Sequence, residues 1–383
     1  MRVPLFIAIL LLAGCLSGSQ GSSSTASSST TSTATSWTPP HVDFDGQKAH
    51  DAVAGLVLHA DGTPRLRIPG TASHDEAGLW LHDQLAQPGW QVHWQNFTAA
   101  DYRALPKSSA IEPYTRAPWC TPEDDRALTN MTFQNLYAVL PGTGAVHKTV
   151  LLAAHWDSQP ASNNDPDPQK RKLPDPAADD GGSGVGLLLE LVRELSSAPR
   201  LPFDVGVFLT DGEDGFYACY PVAGTLVFTH ANATKGLADR FLLLDMVGDL
   251  DARFPREAHS IQSDPALVDV VWRHGVALAG PDRFNATTLE IEDDHVPFID
   301  AGVPSIDVID AARPTTFPPY WDTTDDTMVH VSPVMLGLVG QTLLDSLRDP
   351  AFVAQWPGHT APTPVPPQPP PPTTTTSQSY APV

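Results

Sequence analysis

Three segments of this chain are apolar almost without interruption, and each ends abruptly in residues that carry charge. They are Lys148–His155 (KTVLLAAH), Phe203–Leu209 running into Asp211-Gly212-Glu213-Asp214, and Phe241–Leu244 running into Asp245. A strand with one solvated face alternates apolar and polar side chains. A strand that reads as continuously apolar is covered on both faces, which happens when helices flank a mostly parallel sheet. Apolar residues at helical spacing in Asp75–Leu85, Ser183–Leu195, Ala266–Ala279 and Val334–Leu347 predict such helices, and Gln91–Phe97, Asn135–Leu140 and Ser305–Ile309 read as further strands. Strands alternating with helices predict an α/β sandwich around a largely parallel sheet, built as one domain over residues 37–356.

The two ends do not follow this pattern. In residues 1–15 (MRVPLFIAILLLAGC) one Arg precedes an apolar run that is too short to span a bilayer and has the length of a signal-peptide core. Leu12-Ala13-Gly14-Cys15 resembles the lipobox of prokaryotic lipoproteins, which implies a lipidated Cys15; an ordinary secretory signal is the alternative. Residues 16–36 are almost only Ser, Thr, Ala and Gly and read as a flexible linker. Residues 357–383 form a Pro/Thr-rich, low-complexity tail that leans to polyproline II. The expected location is therefore extracytoplasmic, either secreted or lipid-anchored, with the membrane touched only through the lipid.

Arg2 is the single charged residue of the two ends, so all 44 acidic residues fall in the folded part of a chain whose formal charge is −22. That excess repels phosphate backbones and argues against a nucleic-acid partner. Three cysteines cannot build a disulfide framework or a four-cysteine zinc site, and Cys120 and Cys219 are left as thiols able to pair in an oxidising compartment. Sequons at Asn96, Asn130, Asn232 and Asn285 permit glycosylation.

In open α/β sheets ligands bind just beyond the carboxyl ends of the strands, and the suspicious residues of this chain sit there. Residues two apart on an extended strand face the same side, so His155 is able to ligate a metal with Asp157 beside it as the carboxylate that orients the imidazole. Asp179-Asp180-Gly181-Gly182-Ser183-Gly184 opens a helix, where the dipole favours carboxylates; simple capping is the plain alternative. No Lys completes a phosphate loop and no strand directly precedes Ser183, which argues against a P-loop enzyme and a serine hydrolase. Adjacent acids at a buried strand end, as in Asp211-Gly212-Glu213-Asp214, repel unless a cation or a proton relieves them. Asp245, Glu292-Asp293-Asp294-His295 and Tyr320-Trp321-Asp322 extend the series.

Taken in order and spacing, AAHWDS, AADDGGSG, LTDGED, LLLDMVGDLDARFPRE, EDDHVPF and AGVPSIDVID resemble the zinc exopeptidase fold shared by co-catalytic zinc aminopeptidases and animal-type glutaminyl cyclases. The likeness runs from about Arg67 to Leu347 and is greatest to the prokaryotic cyclase-like members. It implies a three-layer sandwich with a mixed, largely parallel central sheet. It further implies that Asp180 is the central metal ligand, that Asp214 binds the same metal, and that Glu213 is the general acid/base. His155 and Asp245 match the ligands of a second metal in aminopeptidases. Asp293 matches an acid that cyclases carry, so that Glu213, Asp245 and Asp293 would form a proton relay, and Trp321 matches an aromatic residue of the cyclase pocket.

One position departs from the family pattern. The last metal ligand is a His between Trp and Thr, and this chain reads Trp321-Asp322-Thr323. Asp322 would complete an all-carboxylate site with Asp180 and Asp214, harder than the usual set and more open to magnesium, manganese or calcium; His330 is the nearby imidazole that would otherwise substitute. The leading expectation is a glutaminyl-peptide cyclotransferase that binds one zinc ion, or two, and converts the N-terminal Gln of peptides or proteins to pyroglutamate with release of ammonia. The rival is a two-zinc aminopeptidase. A third expectation, motivated by Asp322, is a non-catalytic surface binding module with a degenerate metal site.

Overall fold

The computed structural model describes residues 38–105, 131–144, 148–214, 221–231, 238–313 and 317–353. Cys15, the linker, the C-terminal tail, Cys120, Cys219 and the sequons at Asn130 and Asn232 lie outside the described residues.

The strands are β1 (Gln91–Thr98), β2 (Thr132–Leu140), β3 (Thr149–His155), β4 (Asp204–Thr210), β5 (Arg240–Asp245), β6 (Phe254–Glu257), β7 (Phe284–Leu289) and β8 (Ser305–Ile309). Six of them form one sheet in the order β1-β2-β4-β3-β5-β8. The pairs β4/β3, β3/β5 and β5/β8 are parallel, whereas β2 is antiparallel to both β1 and β4. The sheet is thus mixed and largely parallel, and β2 alone runs against the rest.

Every residue of β3, β4 and β5 is buried, as their apolar runs require. Alternation divides their side chains between two cores. Val150, Leu152 and Ala154 join a large cluster with α1 (Gly46–Val57), α2 (Ala72–Leu85), α4 (Gly182–Ser197) and α9 (Pro333–Arg348). Leu151, Ala153, Phe208 and Phe241 face the opposite core, with Phe228 of α5 (Ala223–Ala231) and Phe298 of α8 (His295–Asp300). Helices on both faces make the three-layer α/β architecture. Phe298 stacks on Phe241 at 3.9 Å, and this contact seats the helix whose preceding residues are Asp293 and Asp294.

Helix α1 was not foreseen from the sequence. Asp45 caps it by accepting the Lys48 N–H, and Ala49, Ala52, Val53, Leu56 and Val57 turn one stripe inward. Gly186 makes the close approach of α4 possible, because a Cβ there would stand 2.3 Å from Val53 Cγ2. The parallel pair β6/β7 was also not foreseen: β6 has four residues and half of β7 is exposed, so neither carries a continuous apolar run. The remaining helices are α3 (Ala99–Arg103), α6 (Ala258–Ser263), α7 (Pro265–Ala279) and α10 (Pro350–Val353).

Candidate metal centre and active site

Parallel strands end at the same edge of the sheet, and that fact assembles the site. His155 is the last residue of β3, Asp211 to Asp214 follow β4, Asp245 ends β5, Asp180 precedes α4 and Asp293 precedes α8. His155 Nε2 lies 2.8 Å from Asp180 Oδ1, 3.4 Å from Asp245 Oδ1 and 4.0 Å from Glu213 Oε2. One donor atom each from His155, Asp180 and Asp214 lie within 4.8 Å of one another, and among the described residues no other trio of metal-ligating side chains does so.

Backbone contacts aim these groups. Gly181 has φ +64, and a Cβ on it would stand 2.5 Å from His155 Cε1, so glycine lets the imidazole close on Asp180. Asp326 accepts the backbone N–H groups of Asp179 and Asp180 at 2.9 and 3.0 Å, and Asp245 Oδ1 accepts that of Gly181 at 3.2 Å. Asp157 Oδ1 stands 3.6 Å from His155 Nδ1. Ala177, Val222, Met246 and Asp322, the non-glycine residues with left-handed φ among the described residues, all adjoin these segments. Such conformations cost about 1–3 kcal/mol each and persist where surrounding structure holds them.

The electrostatics call for a cation. Burial raises the Glu213, Asp214 and Asp293 carboxyls well above the usual carboxylate range, and neighbouring acids add to each shift while His155 opposes it. Burial also works against a charge on His155, but Asp157, Asp180 and Asp245 outweigh it and raise that imidazole. Asp214 Oδ2, Asp293 Oδ2 and His155 Nδ1 are buried without a hydrogen-bond partner. One imidazole nitrogen and two carboxylates, crowded and partly unpaired, are the donor set that zinc accepts.

Asp322 stands outside that trio. Its Oδ1 accepts Gln159 Nε2 and its Oδ2 accepts Asn164 Nδ2 at 3.1 Å, so two neutral amides hold the carboxylate. Burial, followed by Asp180, Asp326 and Asp245, pushes its pKa up to about 8. The structure therefore gathers His155 with Asp180 and Asp214, in place of the carboxylate triad expected with Asp322. His330 stacks on Tyr320 at 3.8 Å and does not join the group.

A cavity of about 190 Å³ opens over these residues, walled by Asp180, Glu213, Asp214, Asp245, Asp293 and Trp321. Phe317 packs on Trp321 with ring centroids 4.2 Å apart, and both rings are shared with an adjoining cavity of about 500 Å³ that runs past Leu289 and Ile291. Gln159, Met246 and Phe317 line the first cavity and escaped the sequence reading, since a lone amide, Met or Phe in a loop has no pattern to mark it.

Residues 135–347, more than half of the chain, match the sequence profile of peptidase family M28. The chain belongs to peptidase family M28. Among M28-like proteins it is 25% identical over 297 residues to a glutaminyl-peptide cyclotransferase-like protein of Bos taurus, covering 70% of this chain and 68% of the relative. The crystal structure of a Zn-dependent exopeptidase from Parabacteroides distasonis aligns with TM-score 0.65 at 30% identity, over 80% of this chain and 98% of that one. Tannerella forsythia glutaminyl cyclase aligns with TM-score 0.66 at 26% identity, over 80% and 99%. The family and the three-layer fold expected from the motifs are both found. This M28 protein is an enzyme of the glutaminyl cyclase and exopeptidase type, and its His155, Asp180 and Asp214 group fits zinc.

Proposed function

We propose that this M28 enzyme is a metal-dependent glutaminyl-peptide cyclotransferase acting on peptides and proteins that begin with Gln, outside the cytoplasm and tethered through Cys15. The observation that carries the reading is Asp293, a third carboxylate beside Glu213 and Asp245 in the wall of the small cavity, with one oxygen unpartnered. A proton relay needs that extra acid; activation of a water by one base does not.

The small cavity receives the Gln side chain against Trp321 and Phe317, and the rest of the peptide leaves along the cavity past Leu289 and Ile291. A zinc ion held by His155, Asp180 and Asp214 would supply Lewis acidity to the γ-carbonyl oxygen. The substrate's α-amine forms the new C–N bond at the γ-carbon, and Glu213 takes the proton it sheds. Glu213 then returns that proton to the amide nitrogen as its C–N bond breaks and ammonia leaves. Burial raises the Glu213 carboxyl above the usual carboxylate range, which makes it a stronger base for the first transfer than a solvated carboxylate. Asp293 and Asp245, on the same wall, disperse the proton between the two steps.

A second reading, a two-metal aminopeptidase, draws on His155 and Asp245, since His155 Nε2 lies 2.8 Å from Asp180 and 3.4 Å from Asp245. Glu213 would then deprotonate an attacking water. Incubation with a Gln-initiated peptide, read by mass spectrometry, separates the readings. Loss of ammonia supports cyclisation, and loss of the whole first residue supports the aminopeptidase. An unchanged peptide with zinc supplied sinks both and leaves the binding module.

A further inference from the structure

The family match starts at residue 135, yet two buried side chains that touch the site-bearing loops, Arg67 and His74, come from well before it. Arg67 is 0% exposed. Its Nε donates to Trp156 O at 2.7 Å, Nη1 to Pro176 O at 3.0 Å, and Nη2 to Ala177 O at 2.6 Å. Its backbone N–H donates to Ser158 Oγ at 2.9 Å. One guanidinium thus joins the loop after His155 to the loop before Asp180, and among the described residues no carboxylate pairs with it. Ala177, whose carbonyl it grips, holds a left-handed φ of 49°.

His74, in the first turn of α2, does the corresponding work for the third loop. Its Nε2 meets Asp211 Oδ2 at 2.9 Å, and its ring stacks on Trp156 at 4.3 Å. Asp211 stands two residues before Glu213 and three before Asp214.

We propose that Arg67 and His74 are positioning residues that hold the three metal- and proton-bearing loops at fixed spacing. The need is electrostatic: the loops converge with Asp180, Glu213, Asp214 and Asp157, which repel and would drift apart without a tie. The means is geometric. An arginine pairing directly with Asp180 or Asp214 would take the oxygens a metal requires, whereas one gripping main-chain carbonyls fixes the loops and leaves those oxygens free. Arginine's planar fork spans two loops; a lysine ammonium cannot.

The proposal rests on the reading of the site as a metal-dependent enzyme, and its test has two arms. Full-length wild type, Arg67→Lys, Arg67→Met and His74→Gln are compared for zinc affinity, by competition with a chromophoric chelator, and for kcat and KM on a Gln-initiated peptide. Circular dichroism on the zinc-free proteins selects folded variants. Folded Arg67 variants should bind zinc about tenfold or more weakly, the size seen when an outer partner of a metal ligand is lost. His74→Gln should lower kcat about tenfold with KM nearly unchanged, because Glu213 moves while the Trp321 wall does not. Folded variants with wild-type zinc affinity and kcat overturn the proposal, as does a wild type that binds no zinc. If Arg67→Met does not fold, Arg67→Lys and His74→Gln decide. A wild type that binds zinc but converts no peptide sinks the cyclase reading and leaves the zinc arm to judge the tie.

Discussion

The Asp157 carboxylate accepts the backbone N–H of Glu213 at 3.2 Å. The same Oδ1 stands 3.6 Å from His155 Nδ1, so one carboxylate refers the proton-transfer group and the imidazole to each other. Asp157→Asn keeps an acceptor for the amide and removes the charge beside the ring. Zinc affinity should fall about 10–100-fold, with the fold intact by circular dichroism. An unchanged affinity, measured by chelator competition, means that Asp157 does not orient His155.

Glu213 lines the cavity without belonging to the donor trio. Glu213→Gln preserves shape and removes the titrating group. Turnover should fall by about 10²–10⁴, the usual worth of a positioned acid/base. Metal analysis of the purified variant should return the wild-type zinc content. Loss of zinc along with activity would make Glu213 a ligand.

Asp322 occupies a left-handed backbone position with φ 55°, a region that His also tolerates. Asp322→His removes the carboxylate now held by Gln159 and Asn164 and offers an imidazole instead. Zinc affinity should rise, and preference over magnesium should sharpen, because imidazole is the softer donor. A zinc affinity that is unchanged or lower would mean that an imidazole at position 322 cannot reach the His155, Asp180 and Asp214 group.

Stability should carry the signature of His74. Burial works against its charge, but Asp211 at 2.9 Å and Asp75 at 3.7 Å push its pKa up to about 9 from 6.5. A raised folded pKa means that the contribution is complete below the unfolded value and is lost as pH rises through the folded one. The shift corresponds to stabilisation on the order of 3 kcal/mol at low pH. Urea denaturation should therefore show wild type losing stability between pH 6.5 and 9 relative to His74→Gln. Parallel pH curves for the two proteins would exclude a charged His74.

Chelation should loosen the strand-end cluster. A ligand present at 100 times its dissociation constant stabilises by about 2.7 kcal/mol. EDTA should lower the melting temperature of wild type, and by more at pH 8 than at pH 5, since the uncompensated acids ionise as pH rises. A melting temperature indifferent to EDTA would show that Asp180 and Asp214 hold no ion.

Much of the architecture is legible in the residues. The predicted strand Lys148–His155 is found as Thr149–His155, and the predicted helix Val334–Leu347 as Pro333–Arg348. Long apolar runs and 3.6-residue stripes are local consequences of burial, so they survive without knowledge of the partner surface. The strand-end acids and His155 are legible for the same reason: a charged residue that interrupts a fully buried strand needs an explanation. Phe317, Gln159 and the pair β6/β7 are not legible, because a four-residue strand, a half-exposed strand and single loop residues have no period.

By itself, the sequence determined a doubly covered, mostly parallel sheet with its chemistry at one edge, since continuous apolar strands leave their ends as the place for charge. Tertiary structure alone decided which of the acids and imidazoles meet. His155 closes on Asp180 because Gly181 leaves room, whereas Asp322 turns to Gln159 and Asn164. Arg67 and His74 reach the site from far along the chain through hydrogen bonds to carbonyls and to Asp211. Such contacts depend on distances between loops of different strands, and sequence periodicity carries no information about those distances.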